Sequence, residues 1–275
     1  MSERTWRPRL VASDIDGTLL PPIGGPSGRT AAAVAAVQAA GVPFVLVTGR
    51  PPRWMSEVAE GIGVSGVAVC SNGAIIYDIG ADRVLDRQLL APEVLGDLVH
   101  ALEAAVPGFA VAVERIGDSA FALDGGEFES EIGYQHPWPD DIAPGLNRAS
   151  VIGKPAVKLL VRHLGMTSGE IAAALGELID EQTATITYST DDGMIELSAP
   201  KVTKGSGLAQ VAEGFGIGAA DVIAFGDMPN DLAMLRWAGH SVAVANAHPE
   251  ILAVADEVTV SNAEDGVAQV LARWF

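Results

Sequence analysis

Cysteine is almost missing from this chain: Cys70 is the only one in 275 residues. An intrachain disulfide is thereby excluded, a thiolate metal site is disfavoured, and a reducing, cytoplasmic setting is expected. Aromatic residues are scarce too, at 5%. A core must therefore come from the abundant Ala, Val and Leu, which suits helices packed on a buried parallel sheet. Basic residues are outnumbered, 17 Lys and Arg against 35 Asp and Glu, for a formal net charge of −18. A field of that sign repels nucleic acid and anionic lipid, so neither is an expected partner. No apolar run reaches the roughly 18 residues of a membrane span. Arg4, Arg7 and Arg9 punctuate the first ten residues without the apolar core of a signal peptide. The acidity also sets a condition: a site for an anionic substrate must be made positive locally, by a metal, a few Lys or Arg, and backbone N–H groups.

What is present is a run of βα units. Apolar residues 9–13 stop at Asp14-Ile15-Asp16-Gly17, as a buried strand ending in a tight turn does. Ser27 is placed to cap a helix over 30–40 that stops at Gly41. Residues 43–47 form a second strand ending at Thr48-Gly49-Arg50. A helix over 54–60 and a strand over 67–70 follow, ending at Ser71-Asn72-Gly73, and a hairpin is expected across 74–88. From about 89 to 190 the pattern mixes helices (92–106, 167–180) with strands (109–113, 156–161, 184–188) and a Pro/Gly-rich acidic stretch over 125–144. That mixture is an α+β insert. Strands near 222–225, 241–244 and 257–260, with helices between and after, then resume the first pattern. The expected architecture is a Rossmann-like doubly wound parallel sheet, residues 1–82 and 193–275, interrupted by an α+β domain over 83–192. Ligands of such sheets bind beyond the carboxyl ends of the strands.

Acids gather at those ends. Asp14 and Asp16 are two apart where the first strand stops, and strand geometry sends i and i+2 to one side. Asp227 closes the strand near 222–225, and Asp231 opens the helix after it. Carboxylates about 4 Å apart repel by roughly 4 kcal/mol at an effective dielectric near 20, so converging acids require a cation or protons. Oxygen donors without His or Cys favour Mg²⁺, held by Asp14, the Asp16 carbonyl and Asp227, with Asp231 direct or through water. Any one of these acids also suits a turn or a helix cap; it is the set that points to a site. The Thr48 hydroxyl and the N–H groups of Gly49 and Arg50 suit phosphoryl oxygens. The Lys204 ammonium, at a helix start, can neutralise both nucleophile and phosphoryl group. The expected chemistry is phosphate monoester hydrolysis, with Asp14 attacking phosphorus to give an aspartyl phosphate and Asp16 acting as acid and then base.

Four segments, Asp14-Ile15-Asp16-Gly17-Thr18-Leu19-Leu20, Val47-Thr48-Gly49-Arg50, Lys201-Val202-Thr203-Lys204-Gly205 and Gly226-Asp227-Met228-Pro229-Asn230-Asp231, resemble in order the motifs of the haloacid dehalogenase superfamily. Ser71-Asn72-Gly73-Ala74, Ile195-Glu196-Leu197 and the tail from Val244-Ala245-Asn246-Ala247 to Glu264-Asp265-Gly266-Val267 resemble its Cof-type branch. The resemblance implies a type IIB cap, Mg²⁺ dependence and action on small phosphorylated metabolites such as sugar phosphates or phosphorylated cofactors; a monomer or small homo-oligomer is expected. It also implies that Asn72, with Gly73, and Asn230 lie near the substrate or its phosphate. The insert matches only in length and position, and its Arg115, Arg148, Lys154, Lys158, Arg162 and His163 are candidates for a second anionic contact.

Competing motifs are weaker. Gly61-Ile62-Gly63-Val64-Ser65-Gly66 has dinucleotide-loop spacing but follows a helix and opens a strand, so it reads as a helix stop. Lys204-Gly205-Ser206 lacks the glycine-rich loop of an NTPase. The other functional readings are a phospho-acceptor switch on Asp14, against which Asp16 and the insert argue, a silent metabolite-binding protein, and a mutase related to the phosphomannomutases.

Overall fold

The computed structural model describes residues 6–21, 23–122, 127–136 and 145–275. Arg4 and half of the acidic stretch expected over 125–144 (residues 125, 126 and 137–144) lie outside these. The described chain divides into two compact units, one of Met1–Ala81 with Thr203–Phe275, the other of Asp82–Val202. Among the described residues no helix is long and apolar enough to cross a membrane.

The first unit begins β1 (Leu10–Ser13), α1 (Gly28–Ala39), β2 (Phe44–Leu46), α2 (Met55–Ile62), β3 (Val67–Cys70) and β4 (Ile75–Asp78). Ser27 caps α1 by accepting from the Thr30 amide, and the chain leaves that helix through Gly41 at φ +73. Gly63, at φ +80, stops α2 inside the glycine run that has dinucleotide-loop spacing. Left-handed φ is cheap only for glycine, so both ends are written in the residues. β4 turns back antiparallel on β3.

The second unit holds β5 (Arg83–Arg87), α3 (Pro92–Ala105), β6 (Ala110–Glu114), β7 (Phe128–Ser130), α4 (Arg148–Ile152), β8 (Lys158–Arg162), α5 (Ser168–Gly176), β9 (Thr185–Thr187) and β10 (Met194–Ser198). Its main sheet runs β7-β6-β8-β10-β9, with antiparallel pairings. The position of β10 differs from the sequence expectation, which began the return to the first unit at residue 193. Instead β10 lies between β8 and β9, with Ile195 and Leu197 fully buried and Glu196 paired to Lys158 at 2.7 Å. A strand buried on both sides belongs at the centre of a sheet, and the chain re-enters the first unit only at Thr203.

The return supplies α6 (Lys204–Gly214), β11 (Val222–Gly226), α7 (Leu232–Trp237), β12 (His240–Ala243), α8 (Pro249–Val254), β13 (Glu257–Val258) and α9 (Gly266–Leu271). The sheet order β13-β12-β11-β1-β2 is parallel throughout. A parallel bridge from Val47 to Val69 sets β3 beside β2. Leu10, Val11 and Ala12 are all fully buried, and each large apolar side chain so buried contributes about 1.5–3 kcal/mol. Read outward from β1, the strands run 1-2-3 on one side and 11-12-13 on the other. The order reverses between β1 and β11, where a doubly wound sheet opens its ligand crevice.

Candidate active site

The loop after β1 is wound tight. The Ile15 carbonyl accepts from the amides of Leu19 at 3.0 Å and Leu20 at 2.9 Å, and Gly17 takes φ +79. A Cβ on Gly17 would lie 2.2 Å from Asp227 Oδ2, so only glycine lets the loop cross Asp227. The loop is tied from behind: Asn246 Nδ2 donates to the Gly17 carbonyl at 2.8 Å and Asn262 Nδ2 to that of Leu20 at 2.7 Å.

Three buried acids and one buried lysine meet at the reversal point. Lys204 Nζ donates to Asp14 Oδ1 at 2.7 Å and to Asp231 Oδ1 at 2.6 Å. Its relative exposure is 1%, with Asp14 at 4%, Asp227 at 5% and Asp231 at 0%. Carboxylate oxygens of Asp14, Asp227 and Asp231 all lie within 4.8 Å of one another. Asp231 is fully engaged: its Oδ2 accepts from the amides of Asp227 at 2.9 Å and Met228 at 3.0 Å. Asp227 Oδ1 accepts from the Thr18 hydroxyl at 2.7 Å.

Burial dominates the electrostatics. It pushes Asp14 well above the usual carboxylate range; Lys204 pulls back, while Asp231, Asp227 and Asp16 push the same way as burial. Burial, then the Asp231 charge, brings Asp227 up to about 7 against the lowering effect of Thr18 and Lys204. Burial works against the Lys204 ammonium, but Asp14 and Asp231 outweigh it and its pKa rises. Three acids and one lysine are thus short of positive charge, and oxygen donors alone surround the deficit. That arrangement fits a hard divalent cation.

Asp16 stands apart from this cluster. β1 ends at Ser13, so the two-residue alternation expected to send Asp14 and Asp16 into one pocket does not extend past it. The Asp16 side chain is 59% exposed and paired with Arg50. Thr48 is 1% exposed, and its Oγ1 accepts from the Arg50 amide at 3.0 Å. It caps no helix, for the turn Pro52–Trp54 starts without a side-chain cap. The Asn72 amide donates to the Thr48 carbonyl at 3.0 Å, and Asn230 Nδ2 donates to Asn72 Oδ1 at 3.1 Å. A Cβ on Gly49 would lie 3.1 Å from that Asn72 oxygen, while Asn230 Oδ1 is buried without a hydrogen-bond partner among the described residues. Ser71, Asn72 and Gly73 have φ of +49, +55 and +100, and a Cβ on Gly73 would fall 2.0 Å from the Thr203 carbonyl. That left-handed turn seats the start of α6, where Thr203 and Ser206 cap reciprocally and set Lys204 in place.

The sequence expectations give no role to Thr18, Asn246 or Asn262, although the first two lie within the segments that carry the resemblance. Thr18 stands four residues past Asp14, within reach of a motif reading. The two asparagines are over 200 residues distant from the loop they hold, beyond any local pattern. In the second unit four of the proposed anion contacts pair with acids instead: Arg115 with Glu129, Arg148 with Glu131 and Glu103, Lys158 with Glu196, and Arg162 with Asp192.

Comparison with known proteins bears on this geometry. Residues 11–271 match the haloacid dehalogenase-like hydrolases. The chain is 30% identical over 268 residues to the 5-amino-6-(5-phospho-D-ribitylamino)uracil phosphatase of Bacillus subtilis, covering 97% of this chain and 95% of that one. It is 29% identical over 268 residues to the phosphoglycolate phosphatase of Methanothermobacter thermautotrophicus, covering 97% and 99%. Among solved structures, a sugar phosphatase of haloacid dehalogenase subclass IIB superposes with a TM-score of 0.79 at 21% identity, over 96% of this chain and 98% of its own.

Proposed function

The chain belongs to the haloacid dehalogenase-like hydrolases and is one of their phosphoric monoester hydrolases; we propose that it is a Mg²⁺-dependent phosphatase of small metabolites that works through an aspartyl phosphate on Asp14. The observation that carries this reading is the Lys204 ammonium, buried between Asp14 and Asp231 with Asp227 beside them, at the reversal point of the sheet.

Lys204 holds Asp14 Oδ1, opposes the effect of burial on the carboxyl group and orients it, which leaves Oδ2 for phosphorus. As the Asp14–phosphorus bond forms, the bond from phosphorus to the substrate's alcohol oxygen breaks, and Asp16 gives that oxygen a proton. Asp16 then takes a proton from the water that attacks the aspartyl phosphate, which releases inorganic phosphate and restores Asp14. The Thr48 hydroxyl, the Gly49 and Arg50 amides, Gly73 and the Asn72–Asn230 pair line the phosphoryl position. Asp14, Asp227 and the Asp16 carbonyl would hold Mg²⁺, and with both its oxygens engaged Asp231 acts through water. When bound, the ion supplies the missing positive charge and stabilises the phosphoryl oxygens. The α+β unit is the cap that selects the substrate, among sugar phosphates and phosphorylated cofactors. The single, buried Cys70 supports a cytoplasmic setting.

Turnover of p-nitrophenyl phosphate with and without Mg²⁺, then of a panel of phosphorylated metabolites, tests the reading. Asp14→Asn should lower turnover by at least about 10³-fold with the fold intact. Normal turnover by that variant, or indifference to Mg²⁺, overturns it.

A further inference from the structure

The Asp16 carboxylate is held by a fork. Arg50 Nε donates to Oδ2 at 2.8 Å and Nη2 to Oδ1 at 2.6 Å, so both oxygens of the proposed acid and base are occupied. The arginine stands among the groups that would meet a phosphoryl group. Its own amide is bound to Thr48 Oγ1 at 3.0 Å, and the Asp14 charge acts on its guanidinium.

A carboxylate accepting two charge-assisted bonds cannot turn toward a leaving oxygen without breaking them. A phosphoryl dianion offers the guanidinium the same two-oxygen geometry with more charge. We propose that Arg50 is a further substrate-binding residue whose guanidinium passes from Asp16 to the phosphoryl oxygens as substrate enters, so that arrival of the phosphate is what frees Asp16 for proton transfer. This deepens the phosphatase reading and rests on it. Exposure favours the exchange: the Arg50 and Asp16 side chains are 25% and 59% exposed, against 1% and 6% for Lys204 and Asp14. A solvated pair is weak enough to part, whereas a buried one is held by the cost of leaving a charge alone.

The test is a double-mutant cycle read by calorimetric binding of inorganic phosphate to the Mg²⁺-loaded protein, with circular dichroism to confirm each variant's fold. Asp16→Asn should tighten phosphate binding about fivefold, because the fork no longer has to leave a carboxylate. Arg50→Met should weaken binding about tenfold or more, and Asp16→Asn made in that background should change it less than twofold. Equal tightening in both backgrounds would mean simple loss of a repelling charge and would overturn the exchange, as would no tightening in the Arg50 protein. Wild-type protein that neither binds phosphate nor turns over p-nitrophenyl phosphate would instead overturn the phosphatase reading itself.

Discussion

Stripped of divalent cations by a chelator and taken from pH 5 to pH 8.5, the protein should lose stability, and Asp227 is the group to follow. Its carboxyl ionises near 3.8 in an open chain and near 7 in the fold, because burial and Asp231 oppose the charge. A group raised in this way contributes its full stability below the unfolded value and loses it as pH climbs through the folded one. Of the rise from 3.8 to about 7, roughly two pH units lie above pH 5, which corresponds to on the order of 3 kcal/mol lost between pH 5 and the folded value. Asp14, also raised by burial, adds to the loss with the same sign. For a chain of this size about 2–4 °C of melting temperature accompanies each kcal/mol, so the metal-free midpoint should fall on the order of 10 °C. Differential scanning calorimetry in chelator reads the slope, and added Mg²⁺ reverses it. The Mg²⁺-induced rise should be small at pH 5, where protons occupy the carboxylates, and should grow through pH 7. At a hundredfold excess over its dissociation constant the ion adds about 2.7 kcal/mol. Asp227→Asn should flatten the metal-free slope, and Thr18→Val, which removes a donor that favours the charged form, should move the fall to higher pH. A metal-free midpoint that is flat from pH 5 to 8.5, or a slope that Asp227→Asn leaves unchanged, refutes the reasoning.

Lys204→Met strands two buried carboxylates and should cost about 3–5 kcal/mol by denaturant unfolding, besides abolishing turnover; adding Asp231→Asn should recover part of the stability and none of the turnover. Gly73→Ala places a methyl 2.0 Å from the Thr203 carbonyl at a φ of +100. It should lower stability by about 1–3 kcal/mol and slow turnover by shifting Lys204 from Asp14, read by urea unfolding and p-nitrophenyl phosphate kinetics.

The strands of the first unit were legible because a parallel strand buried on both sides is written as a short apolar run. Val67–Cys70 and Val222–Gly226 carry that signature, with chemistry at their ends. β10 was misplaced because its own residues describe a buried strand without saying which neighbours bury it. Its partner Lys158 lies 38 residues away. Lys204 was legible only by association, since a lysine at a helix start reads locally as a solvated side chain. Its burial comes from contacts that bring α6 close: Gly207 against Gly73, and Gly205 against the Ala233 carbonyl.

The residues alone determined the alternation of strands and helices, the glycine stops, and the presence of acids, a lysine and hydroxyls where strands end, because these depend on side-chain periodicity and backbone freedom over a few residues. Tertiary structure decided which of those groups share a dielectric. Asp227 is raised because Asp231 and burial close over it, and Asp16 stays in water because the chain turns after Ser13 and Arg50 is there to meet it. Charges and hydrogen bonds act through space over a few ångströms, and only the folded chain brings residues 14, 204 and 231 within that distance.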